Sequence, residues 1–239
     1  MKKLVLSVLS GVLISIGARA QTDLFNTVQD WTGAGTNEAG MVIDWYNGTT
    51  SESLMWGYRW DGSATGEQML EAIVAGDPRL FAEVNGFTTG FGDVVFGLGF
   101  AATGDEPIQL STPLSFNNQN LASVASYGVV EDGRTAVNAG DLWLEGFNSG
   151  YWAYYNSTDA RLSVNESDWD FASDGMGDRV LDNGDFDGWA FAPAFNGPAP
   201  SDFTAVSPAP EPTSLALLFF SGIFLFFIRK CRLSKNNLS

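Results

Sequence analysis

Carboxylates dominate the residues of this chain that could do chemistry. Between Glu166 and Asp187 stand eight acids, Glu166, Asp168, Asp170, Asp174, Asp178, Asp182, Asp185 and Asp187, against one cation, Arg179. Inside this run, Asn183-Gly184-Asp185-Phe186-Asp187-Gly188 places oxygen ligands at Asn183, Asp185 and Asp187 with a glycine after them, the opening pattern of an EF-hand loop. Ala194 occupies the position where such a loop carries its bidentate glutamate, so a full EF-hand is excluded and a weaker calcium loop is the metal candidate. The competing reading is a plain turn, because Asp-Asn-Gly-Asp and Asp-Gly are good turn sequences.

Aromatic residues form the second set. Ser53 to Trp60 alternates so that Leu54, Trp56, Tyr58 and Trp60 share one strand face. Tyr58 and Trp60 could offer a platform to a sugar or planar ligand, with Arg59 and Asp61 as polar guides; the alternative is that they pack beneath the helix that follows. Trp152, in Tyr151-Trp152-Ala153-Tyr154-Tyr155, and Trp189, in Asp187-Gly188-Trp189, are the matching candidates further along, with a shared core as the alternative. A Tyr-Trp-x-Tyr segment with a later Gly-Trp is similar to a pattern in secreted bacterial proteins linked to uptake of corrinoids or other small cofactors, which implies a small-cofactor ligand.

What is missing narrows the chemistry further. Histidine is absent and the only cysteine is Cys231, near the C-terminus. A Ser-His-Asp triad, a Cys-His pair and a zinc site built from Cys and His are therefore excluded. Paired carboxylates could hydrolyse a glycoside, but sequence spacing does not set their separation. No residue is assigned a catalytic role, and a non-enzymatic protein is expected.

Charge excludes another class of partner. Between residues 21 and 209 five arginines, at 59, 79, 134, 161 and 179, face 27 carboxylates, a balance of −22, and there is no lysine. Such a surface repels nucleic acid and anionic headgroups.

The elements that must position these residues are mostly strands. Segments rich in β-branched and aromatic residues recur between Gly, Asn and Asp clusters, predicting strands at 41–46, 54–60, 80–84, 94–100, 141–147, 151–155, 169–172 and 188–191. One helix is well marked: Thr65 and Gln68 make a capping box, Met69, Leu70, Ile73 and Val74 an apolar stripe, and Gly76 with Pro78 a stop. A second helix is expected over 121–127. The resulting fold class is mainly β (α+β), an antiparallel sheet or sandwich with one or two helices packed on it, flanked by an N-terminal signal helix and a C-terminal membrane helix.

Both ends carry address signals. Residues 1–20 have the layout of a signal peptide: Lys2 and Lys3, an apolar stretch, then Ala18 and Ala20 at the positions read by a signal peptidase. Residues 21–39 read as a loose lead-in, 40–195 as the extracytoplasmic domain and 196–209 as a Pro-rich linker. At the other end, Pro210-Glu211-Pro212 is held extended by its prolines. The apolar run Leu215 to Ile228 follows, about 21 Å long as a helix against a hydrocarbon core of about 30 Å. Arg229, Lys230 and Arg232 after it orient the end toward the cytoplasm, with 233–239 as a short tail.

This three-part order, Ser207 to Arg232, resembles the PEP-CTERM sorting tag of Gram-negative bacteria. The resemblance implies that 210–232, with a membrane helix over 213–228, is recognised by an exosortase, a membrane-embedded cysteine protease or transpeptidase that cuts near the motif. It further implies delivery through the inner membrane to the outer envelope, cell surface or extracellular matrix. The expected function is a structural or adhesive role there, with exopolysaccharide among its partners; the alternatives are a surface binding module for a carbohydrate or small cofactor, and a carboxylate-based glycoside hydrolase.

Overall fold

The computed structural model describes residues 23–86, 92–102, 107–124, 133–158 and 166–209. The expected signal peptide and sorting tag, with Ala18, Ala20, Pro210, Glu211, Pro212, Arg229, Lys230 and Arg232, lie outside the described residues. Among the described residues no helix is long and apolar enough to cross a membrane.

Among the described residues, eleven strands and one α-helix make up the fold: β1 (Trp31–Gly33), β2 (Asn37–Asp44), β3 (Ser53–Trp60), α1 (Gly66–Gly76), β4 (Leu80–Gly86), β5 (Asp93–Phe100), β6 (Leu121–Ser123), β7 (Leu142–Glu145), β8 (Gly150–Ser157), β9 (Asp170–Phe171), β10 (Phe186–Pro193) and β11 (Thr204–Ala205). A seven-stranded sheet runs β1-β3-β2-β10-β8-β9, with β11 also on β3, and a four-stranded sheet runs β6-β4-β5-β7. The domain is thus mainly β with one helix, as expected, but its sheets are mixed rather than antiparallel. Four pairings are parallel: β1 with β3, β2 with β10, β11 with β3 and β4 with β6.

Three differences from the sequence expectation have local causes. The lead-in is structured: Asp23 caps a 3-10 turn, Phe25 is buried, and β1 pairs along β3. Leu121 begins a strand instead of a second helix, because β4 leaves an edge to which its backbone can bond. The Pro-rich linker is docked in part, since β11 pairs with Leu54 and Met55 and Val206 is buried.

Three apolar layers hold the sheets. The inner faces of both sheets enclose the largest cluster, which includes Met41, Ile43, Trp56, Leu98, Trp152 and Trp189 together with Met69, Leu70, Ile73 and Val74 of α1. On the far side of the seven-stranded sheet Phe25, Val42, Met55, Trp169 and Phe186 form a second layer. Outside the four-stranded sheet Phe81, Ile108, Leu110 and Trp143 form a third. Central strands β2 and β10 therefore lie buried on both faces, and their sequences are nearly continuous in small and apolar residues.

Indoles bolt the sheets together. Trp45 donates its Nε1–H to the Leu98 carbonyl at 2.9 Å, and Trp152 donates to the Leu144 carbonyl at 3.1 Å, each from the larger sheet to the smaller. Trp56 donates to Asp77 Oδ2 at 3.0 Å, fixing β3 to the end of α1. Large rings are accommodated by glycines directly across the ladder: Gly40 opposite Phe186, Gly57 opposite Trp31 and Gly99 opposite Trp143. A Cβ at Gly40 would lie 2.2 Å from the Phe186 ring.

Helix α1 forms as its sequence requires, with both hydrogen bonds of the Thr65–Gln68 capping box present. Thr65→Ala is expected to lower the unfolding free energy by about 1 kcal/mol. Gly40→Ala, which forces a methyl into a filled ring site, is expected to cost about 1 to 3 kcal/mol. Urea denaturation of the two variants checks both values and their order.

Candidate functional site

Three groups of polar residues are built into this frame. The first lies at the N-terminus of α1, where Arg179 enters from the loop before β10. That loop is held to the helix start: Gly66 N–H bonds to the Arg179 carbonyl, Glu67 N–H to the Met176 carbonyl, and Leu181 N–H to the Ala64 carbonyl. Arg179 Nη2–H donates to Asp185 Oδ2 at 2.8 Å and its Nε–H to Asp187 Oδ1 at 3.4 Å. Tyr154 of β8 donates its hydroxyl to Asp187 Oδ2 at 2.5 Å. Both carboxylates are buried, each about 1 % exposed.

Each of the candidate calcium ligands has a partner within the protein. Asn183 Oδ1 accepts the Glu38 backbone N–H at 2.9 Å, while Asp185 also accepts the Asp182 N–H and Asp187 turns to Tyr154. Gly184, at φ +106°, makes the turn that feeds β10 into the sheet. The charge of Asp185 and Asp187 is thus met by the Arg179 guanidinium. Among the described residues no group of three or more acids, cysteines or histidines is arranged to hold a metal ion.

Burial sets the protonation behaviour of this group. Loss of water pushes the Asp187 carboxyl up to about 6, against the opposing pull of Arg179. Asp185 is raised by the same cause. Tyr154 is raised well above the usual phenol range by burial and by the Asp187 charge, so it stays a donor.

The second group is a cleft between the end of β3 and the exposed side of α1. Its volume is 380 Å³, lined by Tyr58, Trp60, Asp61, Ser63, Ala64, Gln68, Glu71, Ala72, Ala75 and Gln119. Tyr58 and Trp60 lie parallel, 5.5 Å between centroids and 11° between planes. Trp60 is buried, yet among the described residues its Nε1–H has no acceptor, an unmet donor that costs about 1 to 3 kcal/mol. Asp61 Oδ1 accepts both the backbone N–H and the hydroxyl of Thr36 at 3.0 Å. Arg59, expected as a polar guide, points away: it pairs with Glu38 at 3.0 Å and lies 4.1 Å over the Trp31 ring on the other face.

Of the four aromatic ligand candidates, Tyr58 and Trp60 share this cleft, whereas Trp152 and Trp189 lie in the inner core. Trp189 stacks on Tyr154 at 4.5 Å, and Trp152 meets Trp45 edge to face.

The third group was not visible in the sequence. Glu83 of β4 and Glu145 of β7 both sit opposite Gly97 of β5, one on each side, so the ladder brings two carboxylates onto one face. Arg134 Nη1–H donates to Glu145 Oε2 at 3.0 Å and reaches Glu83 at 3.4 Å. Trp143 donates its indole N–H to Glu145 Oε2 at 2.9 Å. Both glutamates are buried, so they are joined by a guanidinium beneath the third apolar layer.

No family profile, curated protein or solved structure matches the chain.

Two outcomes follow for the Arg179 group. Because Asp187 binds its proton more tightly folded than unfolded, the stabilisation it gives is complete below its ordinary pKa of 3.8 and is lost as pH rises through about 6. Asp30, Asp44, Asp93 and Glu71 are raised too, chiefly by burial, and act in the same direction. The melting temperature is expected to rise as the buffer is taken from pH 8 to about 5, with Asp187→Asn flattening the profile, measured by calorimetry across the range. Addition of a chelator is expected to leave the melting temperature unchanged; a chelator-induced drop reversed by calcium would restore the metal reading.

Proposed function

We propose that this chain is an exported, non-enzymatic protein of the bacterial envelope or extracellular matrix. A signal peptidase cuts after Ala20, and an exosortase-type protease receives the tag at 210–232 while its apolar helix sits in the inner membrane. The β domain then serves a structural or adhesive role at the cell surface, with exopolysaccharide as its surroundings.

The observation that carries the reading is the placement of the tryptophans. Trp56, Trp60, Trp152 and Trp189 are only 1, 5, 5 and 5 % exposed, so their large apolar surfaces hold the sheets together. The two carboxylate pairs that strands bring together, Glu83 with Glu145 and Asp185 with Asp187, are each closed by an arginine. A rigid acidic body of this kind suits a hydrated matrix, where like charge keeps it soluble and apart from anionic polymers.

The position of the tail supports the same reading. Arg79 Nη2–H donates to the Ser207 carbonyl at 2.7 Å, and the Ala209 N–H bonds to Asp30. The folded body therefore extends to the residue before Pro210.

Mass spectrometry of the protein recovered from the envelope and medium of the producing cells tests the proposal. The expected product begins at Gln21 and ends close to Pro210–Pro212. Recovery of a mature chain still carrying Phe224 and Arg232 would reduce the tail to a plain membrane tether.

A further inference from the structure

We infer that the cleft between β3 and α1 is a binding site for a neutral saccharide unit. The site is independent of whether the tail is cut.

Its shape and chemistry select the ligand. At 380 Å³ the cleft falls in the lower part of the range of about 300 to 1,000 Å³ used by small-ligand sites. Tyr58, half-buried, lines the cleft and stacks on the buried Trp60 behind it. A flat ring face, negative at its centre, accepts the polarised C–H face of a pyranose. An aromatic cage for an organic cation needs ring faces converging from several sides, which a stacked pair does not supply.

The polar groups around the rings suit hydroxyls. Gln68 commits its Oε1 to the Thr65 N–H in the capping box, which leaves the two amide protons of its Nε2 as donors. Gln119 adds a second exposed amide from the loop before β6. Asp61 keeps Oδ2 as an acceptor, since Thr36 is bound to Oδ1, and Glu71 supplies another carboxylate from α1. The lining thus holds both donors and acceptors, as vicinal hydroxyls require.

Charge removes the competing sugars. Among the described residues that line the cleft, the ionisable groups are Asp61, Glu71 and Tyr58, and two carboxylates repel a phosphate, sulfate or uronate. A neutral hexose chain is what remains.

The full chain, held in a detergent without a sugar headgroup, is titrated with neutral gluco-, galacto- and manno-configured trisaccharides, a uronic acid trisaccharide and choline. Tryptophan fluorescence and calorimetry are the readouts. Saturable binding of at least one neutral trisaccharide is expected at a Kd of about 1 mM or tighter, with none for the uronate. Tyr58→Ala and Gln119→Ala are each expected to weaken it about tenfold or more, while Phe171→Ala, an exposed aromatic on another strand, leaves it unchanged. Should Tyr58→Ala fail to fold by circular dichroism, the exposed Gln119→Ala and Glu71→Gln decide the question. Absence of saturable binding by every neutral trisaccharide overturns the inference. So does binding of choline alone, or affinity that Gln119→Ala and Glu71→Gln both leave intact.

Discussion

Scarcity of positive charge governs this molecule. The body holds 27 carboxylates and five arginines, and several of those carboxylates must enter the interior. Each of three buried or nearly buried arginines is shared between two acids: Arg79 between Asp77 and Asp30, Arg134 between Glu83 and Glu145, and Arg179 between Asp185 and Asp187. Breaking a buried pair by removing one partner typically costs about 3 to 5 kcal/mol, because a charge is left stranded. Arg59 is also paired, with Glu38. Positive charge is therefore drawn inward, and the acidic character of the composition is passed to the surface. The three shared guanidiniums also stand at structural junctions: the end of α1, the outer face of the small sheet, and the start of α1.

Aromatic residues complete what the ion pairs begin. Indole N–H groups from Trp45 and Trp152 cross from one sheet to the other and end on backbone carbonyls, so each ring gives burial and a directional bond together. The same demand for burial explains why Trp152 and Trp189 are withdrawn from any ligand. Tyr58 differs because β3 ends nearby and the chain turns away into α1, which leaves it half-buried beside the helix, stacked on Trp60.

Much of this was legible in the residues themselves. The helix was fully spelled out by Thr65, Gln68, its apolar stripe and its stop, all of them local signals. The eight expected strands were found because alternation and turn residues are local as well. What was hidden depends on partners distant in sequence. Trp31–Gly33 and Thr204–Ala205 are too short to show a pattern and exist as strands because β3 offers them an edge. Leu121 and Val124 have helical spacing, yet β4 claims this segment through its parallel ladder. For the site, Asn183, Asp185 and Asp187 had ligand spacing, but nothing in that spacing shows that Arg179 folds back between the two aspartates. The Glu83–Glu145 pair required knowing that Gly97 separates them in the ladder.

The two ends of the domain meet at one strand. β1 and β11 lie one after the other along the same edge of β3, and Arg79 holds Asp30 beside the first and the Ser207 carbonyl beside the second. A pull on the C-terminal segment would thus enter the fold through a two-residue strand, the buried Val206 beside it and the contacts of Arg79 and Asp30. The load would fall on β3, whose Trp56 lies in the inner core, and through Arg79 on the N-terminal segment. Tension on either terminal segment would thus be felt first at the β3 edge of the larger sheet.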